Sequence, residues 1–229
     1  MKERIVALLP MKMNSERVEG KNFRNFNGKP LFRWMLDTLL EIKDIDEVII
    51  NTDARSIIES AGVYESSRLT IRDRCSELCG DFVSMNRILA DDVSNIGADI
   101  YLMTHTTNPL LGSSTISDAL ELFQKSRACN SIDSLFSVNC IQSRFYSAAC
   151  RPINHDPKNL IRTQDLEPWY EENSNLYLFT RDSFMTTQAR IGKRPMMFET
   201  PKYESIDIDT IDDWDFAVAA GRYMLEREE

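Results

Sequence analysis

Ile5-Val-Ala-Leu-Leu-Pro-Met-Lys-Met-Asn-Ser-Glu-Arg-Val-Glu-Gly-Lys-Asn22 opens as an apolar run, then breaks at Pro10 into a polar loop. The run is too short to cross a membrane and apolar enough for a buried strand. The loop behind it carries Lys12, Ser15, Arg17, Lys21 and Asn22. Three cations and two small polar donors therefore follow the carboxyl end of a first strand, the edge at which open α/β sheets bind their ligands. In a chain with a formal charge of −9, positive charge gathered at that edge points to a bound anion, with phosphate the first candidate.

The whole-chain balance agrees with one large soluble α/β unit. At 229 residues and 42% apolar content the chain can bury a real core. Its 27 Lys and Arg against 36 Asp and Glu argue against general nucleic-acid binding and against anionic membrane surfaces. The five cysteines (Cys75, Cys79, Cys129, Cys140 and Cys150) are odd in number and irregularly spaced. That pattern suits reduced, partly buried thiols rather than a disulfide or zinc framework. No signal peptide precedes the first strand, and no run is long enough for a spanning helix. The expectation is a cytoplasmic protein.

Strands are predicted at Ile5–Met11, Glu47–Asn51, Asp99–Thr104 and Ser134–Val138, and helices at Leu31–Ile42, Arg55–Ala61, Val83–Val93 and Thr115–Phe123. Strands separated by helices imply crossover units and a mostly parallel sheet flanked by helices, a Rossmann-like arrangement. Residues 140–175 lose this periodicity and carry Pro152, Pro157 and Pro168. They read as an inserted lobe, a candidate dimer element, within a single domain spanning 1–229. Regular structure resumes with strands at Leu176–Thr180 and Met196–Glu199 and a closing helix near Asp212–Glu226.

A second chemical signal is Ser205-Ile-Asp-Ile-Asp-Thr210. In an extended segment Asp207 and Asp209 project to the same side. Two carboxylates so placed repel unless a cation lies between them, and Mg²⁺ shared with substrate phosphates meets that need. The competing reading is a solvated acidic strand end that caps the following helix.

With these residues in hand the chain resembles the acylneuraminate cytidylyltransferases (CMP-sialic acid synthetases) and, more distantly, the CMP-KDO synthetases. The opening loop is similar to that family's PARGGSKxIPxKN signature, with Lys12 in place of its Arg. Gly28-Lys-Pro-Leu31, Asn51-Thr-Asp53, Arg74-Cys-Ser-Glu-Leu-Cys-Gly-Asp81 and Thr106-Thr-Asn-Pro-Leu110 follow in the family's order. Arg162-Thr-Gln-Asp-Leu166, Glu172-Asn173, Tyr177 and the SIDIDT of 205–210 complete the series.

The resemblance implies a nucleotidyltransferase fold and transfer of CMP from CTP to the anomeric hydroxyl of a sialic-acid-like 2-keto sugar acid, with release of pyrophosphate. It implies Lys12, Lys21 and Asp209 as catalytic residues and Asp207 with Asp209 as ligands of Mg²⁺. Ser15, Arg17, Asn22, Arg74, Asp81 and Ser84 would bind nucleotide, while His105, Arg162, Gln164 and Asn173 would face the acidic sugar. A homodimer formed through 140–175 is also implied. Two alternatives stay open: a same-fold nucleotidyltransferase with another acceptor (a different ulosonic acid or a phosphonate), and a non-catalytic nucleotide-binding relative.

The departures from the family pattern define expectations of their own. Met13 and Asn14 replace two loop glycines, so a phosphate cradle here must be built differently. Glu16 replaces a Lys. A like charge about 4 Å from phosphate costs roughly 4 kcal/mol at an effective dielectric near 20. Glu16 is therefore expected to point away, with Arg17 assuming the cationic task. His105 and Leu111 replace a Gln and an Arg on the acceptor side.

Overall fold

The computed structural model describes residues 2–129 and 131–228; Met1, Asn130 and Glu229 lie outside the described residues. The strands are β1 Ile5–Leu8, β2 Asn25–Phe26, β3 Lys29–Pro30, β4 Glu47–Thr52, β5 Leu69–Asp73, β6 Ile100–Thr104, β7 Ser134–Ile141, β8 Trp169–Phe179 and β9 Pro195–Glu199. The helices are α1 Leu31–Glu41, α2 Arg55–Ser60, α3 Met85–Asn95, α4 Ser113–Ala128, α5 Arg181–Thr187 and α6 Ile211–Glu228. Seven strands form one sheet in the order β5-β4-β1-β6-β8-β7-β9, and β2 with β3 forms a separate hairpin.

The expected mixed α/β fold, a mostly parallel sheet flanked by helices, is what forms. β1 lies in the centre, parallel to β4 on one side and to β6 on the other. Val6, Ala7 and Leu8 are fully buried, as a central parallel strand covered on both faces requires. On one face β1 joins a core with α1 and α4 through Phe32, Met35, Ile116 and Phe123. On the other, Val6 and Leu8 pack with Leu89 and Val93 of α3 and Phe184 of α5. A third cluster seats Phe26 against Trp214 of α6, the rings edge to face at 5.7 Å. That contact fixes the closing helix against the hairpin.

Three features depart from the expected elements. β8 runs antiparallel to both β6 and β7, so the sheet is mixed on that side. The segment 140–175 is not wholly irregular. β7 and β8 continue as a paired ribbon to Ile141↔Trp169, and only the residues between those ends form an irregular lobe. Finally, Asn27 and Gly28 turn the β2–β3 hairpin with φ of 45° and 99°, the Asn-Gly chemistry of a primed two-residue turn. Four of the five cysteines are exposed and all five are free, where partial burial was expected. Among the described residues no helix is long and apolar enough to cross a membrane.

Candidate active site

The segments that follow the carboxyl ends of β1, β5 and β6 open onto a cleft of ≈ 340 Å³ whose walls include Lys12, Ser15, Arg17, Lys21 and Asn22. The volume lies within the range of small-molecule sites. Arg74, Asp81 and His105 close one side, and Asp209 closes the other. Residues nearly 200 positions apart thus meet at the sheet edge indicated by the first strand and its loop.

The loop after β1 is organised without left-handed conformations at Met13 or Asn14; Gly20 supplies the one left-handed turn, at φ 59°. The Met13 amide donates to Asp53 Oδ1 at 2.7 Å. Buried Asn22 donates to the Lys12 carbonyl at 2.7 Å and accepts from Thr106 Oγ1 at 2.6 Å. Arg74 Nη2 reaches the Met11 carbonyl at 3.1 Å. Side chains from three neighbouring segments therefore hold the loop. Gly20 in turn starts the short 3-10 turn Lys21–Phe23, which carries Lys21 inward.

Lys21 is only 8% exposed and donates to the Ile208 carbonyl at 2.5 Å, with Asp209 Oδ1 at 3.7 Å. Burial holds its pKa below the usual lysine value, against the opposing pull of Asp209 and Asp207. Arg17 Nη2 lies 3.0 Å from Asp209 Oδ1. Lys12 pairs with Asp81 across the mouth, and this hydrogen bond holds the Asp81 carboxyl below its ordinary range. Glu16 does not turn away as expected. It lines the cleft together with Asp81, whose carboxylate Lys12 offsets.

In the acidic segment 205–210 the capping falls to residues other than Asp207 and Asp209. Thr210 and Asp213 cap α6 between themselves: Asp213 Oδ2 accepts from the Thr210 amide at 2.7 Å and from the Asp209 amide at 3.1 Å. A Thr with an acidic residue three positions on is a capping-box arrangement. It leaves the Asp207 and Asp209 carboxylates free of capping duty. Ile208 between them is fully buried, and its amide donates to the Thr107 carbonyl at 2.9 Å. Asp207 accepts from Thr107, yet its Oδ1 is buried without a hydrogen-bond partner. Burial, with Asp209 nearby, raises its pKa. An orphaned buried carboxylate oxygen beside a second carboxylate is a pair of donors suited to a hard cation. Among the described residues no group of three or more His, Cys, Asp or Glu stands ready to complete a cage, so further ligand oxygens would come from substrate and water.

Other residues expected at the site lie elsewhere. Ser84 precedes α3 between Val83 and Met85, which line the cleft while it does not. Arg162 and Gln164 sit on the lobe, where Arg162 is exposed and bidentate to Asp165 at 2.6 and 2.9 Å. Asn173 is buried where β8 slips register against β7 beside Ser174, whose φ is 59°. Its side chain is taken up by Ser137, Asn139 and Thr200 at 2.6, 3.0 and 2.7 Å. That geometry ties the bulge to β9 rather than facing the cleft.

Arg190 had no signal in the sequence. Its Cζ stacks 3.8 Å from the Tyr177 ring centroid. Nη1 faces His105 Nε2 at 3.5 Å, and Nη2 lies 3.4 Å from Glu172. Burial, reinforced by Arg190 and Lys21, pushes the His105 pKa down to about 3. The imidazole at the cleft wall is consequently neutral at physiological pH.

A strand-loop edge gathering cations, facing paired carboxylates and set in a seven-stranded mixed sheet, defines a nucleotidyltransferase. Over 99% of its length the chain shares its fold with a CMP:2-keto-3-deoxy-manno-octonic acid synthetase solved with CTP (TM-score 0.65, 16% identity, 100% of that chain). The cytidylyltransferase family model matches residues 6–216, and the chain belongs to that family. Among its relatives are a pseudaminic acid cytidylyltransferase of Campylobacter jejuni subsp. jejuni serotype O:2 (26% identical; 93% of this chain, 94% of that one). A CMP-N,N'-diacetyllegionaminic acid synthase of Legionella pneumophila is 27% identical over 92% of this chain and 93% of its own. An N-acylneuraminate cytidylyltransferase of Oncorhynchus mykiss is 28% identical over 94% of this chain, which spans 50% of that protein.

Proposed function

We propose that the chain transfers the cytidylyl group of CTP to the anomeric hydroxyl of a nine-carbon, sialic-acid-like 2-keto sugar acid and releases pyrophosphate. The observation that carries this reading is the meeting of Lys12, Arg17 and Lys21 with Asp209 in one cleft, beside the unsatisfied carboxylate oxygen of Asp207. Attack of the acceptor oxygen on the α-phosphorus forms one P–O bond as the bond to the β-phosphate oxygen breaks. Negative charge then grows on pyrophosphate. Positioned cations lower the barrier to such a transfer, and Lys12, Lys21 and Arg17 are the cations here. Asp207 and Asp209 would hold Mg²⁺, which supplies charge neutralisation to phosphate oxygens.

Arg17 and Lys21 lie 3.0 and 3.7 Å from Asp209, so both can exchange that carboxylate for phosphate when nucleotide arrives. Arg74 and Asn22 border the nucleotide half, and neutral His105 borders the acceptor half. Support for an acceptor other than sialic acid itself comes from His105 and Arg190, together with relatives named for pseudaminic and legionaminic acids. The exposed Tyr146, Ile153, Leu160 and Trp169 on the ribbon and lobe support a homodimer, which would also bring Arg162 and Gln164 into a second copy's reach. A cytoplasmic location fits both substrates.

The test is pyrophosphate release from CTP and Mg²⁺ with N-acetylneuraminate, legionaminate, pseudaminate, KDO and phosphonates, with Asp209→Ala as control. Turnover with a nine-carbon acid that the control abolishes is the expected result. Silence across the panel with no CTP binding would overturn the proposal.

A further inference from the structure

We infer that Asn51 and Asp92 are positioning residues that fix the guanidinium of Arg74 in the nucleotide half of the cleft. The inference rests on the reading of Arg74 as a nucleotide contact. Asn51, at the end of β4, and Asp92, on α3, are each only 1% exposed, and neither lines the cleft. They are joined to it by a series of hydrogen bonds. Asn51 Nδ2 donates to Asp92 Oδ1 at 2.8 Å. Asn51 Oδ1 accepts from Arg74 Nε at 2.9 Å, and its carbonyl accepts from Arg74 Nη2 at 2.7 Å. The same Nη2 reaches the Met11 carbonyl of the phosphate loop. Among the described residues no hydrogen bond occupies Nη1, so that nitrogen is left for a ligand.

A guanidinium carries its donors in one rigid plane, and fixing Nε and one terminal nitrogen fixes the direction of the other. Asn51 can do this only in one orientation, because its amide has an accepting end and a donating end. A carboxylate accepts and never donates while ionised. Asp92 therefore forces the amide NH₂ toward itself and the amide oxygen toward Arg74. Were the amide reversed, two donors would face each other at Arg74 Nε. Arg72 also donates to Asp92 Oδ1 and pairs with Asp91 at 3.0 Å, which holds the carboxylate in place. Asn51 spans the distance from the helix to the guanidinium.

The experiment measures the CTP dissociation constant and the KM for each substrate in the full-length chain and in Arg74→Ala, Asp92→Ala, Asp92→Asn and the Asp92→Ala/Arg74→Ala double variant. Arg74→Ala and Asp92→Ala should each weaken CTP by about tenfold or more. Asp92→Asn should stay within about twofold, because its amide oxygen can accept from both Asn51 and Arg72. The acceptor KM should be unchanged in Asp92→Ala, a split that general loosening of the fold would not produce. In the Arg74→Ala background, Asp92→Ala should add less than about twofold. Where Asp92→Ala fails to fold, Asn51→Ser cuts the same connection and carries the same expectations. An Asp92 effect that persists undiminished without Arg74, or an Asp92→Asn variant as impaired as Asp92→Ala, would overturn the inference. Wild-type CTP affinity in Arg74→Ala would instead remove the nucleotide role of Arg74, and the inference would fall with it.

Discussion

Replacing Lys21 with Met separates activity from stability. The ammonium is buried, touches the Ile208 carbonyl at 2.5 Å, and lies 3.7 Å from Asp209 in the cleft. A unit charge about 4 Å from a phosphate oxygen is worth roughly 4 kcal/mol at an effective dielectric near 20. At about 1.36 kcal/mol per decade this is about three decades of rate. Folding stability feels two smaller, opposed effects. Loss of the charged hydrogen bond to Ile208 costs about 1.5–3 kcal/mol, whereas removal of an ammonium whose pKa is depressed by burial works the other way by returning its desolvation cost. Arg17 at 3.0 Å continues to neutralise Asp209. We expect kcat/KM for CTP, followed by pyrophosphate release, to fall about 10³-fold, with the urea midpoint nearly unchanged. A fall of less than tenfold in a folded variant would refute the assignment of Lys21 to the phosphates.

Other perturbations address the remaining parts of the cleft. Arg17→Glu should raise the KM for CTP far more than Glu16→Ala, since Arg17 faces Asp209 while Glu16 sits beside Asp81 at the exposed mouth; equal effects in steady-state kinetics would refute the division of labour. With its pKa near 3, His105 should show no imidazole titration by NMR across pH 5–8, and the chain's two histidines make the assignment tractable. A His105 midpoint near 6.5 would contradict the cleft wall described. Burial raises the Asp92 carboxyl to about 6 despite its bonds to Asn51 and Arg72. The native state therefore holds that proton more tightly than the unfolded chain, and this contribution to stability disappears as pH rises through about 6. Relative to Asp92→Asn, wild type should lose about 1.4 kcal/mol between pH 5 and pH 8 in urea unfolding; a difference independent of pH would refute the shift.

Much of the architecture was legible because the elements that build it are strongly patterned. β1, β4 and β6 are short apolar runs ending in polar loops, and α1 and α4 place apolar residues at helical spacing, so local sequence suffices for both. β5, Leu-Thr-Ile-Arg-Asp, was missed because an edge strand with alternating polarity and a charged end resembles a loop. Strands were expected at Ser134–Val138 and Leu176–Thr180, but the outer part of the ribbon, 139–141 paired with 169–171, was hidden beside prolines and turns, since its order comes from cross-strand pairing rather than local propensity.

By itself the sequence determined a cationic loop after the first strand, an alternating carboxylate pair before the last helix, and a chain able to form crossover units. Only tertiary structure decided which partners those groups meet. It brought Arg17 and Lys21 to Asp209, gave the capping of α6 to Thr210 and Asp213, and left Asp207 Oδ1 unsatisfied. It also turned Asn173 into an internal tie and placed Arg190 against His105. The physical reason is one of range. Strand and helix patterns follow from the burial of neighbouring side chains, whereas the charge state and orientation of a polar group depend on partners as far as 192 positions away.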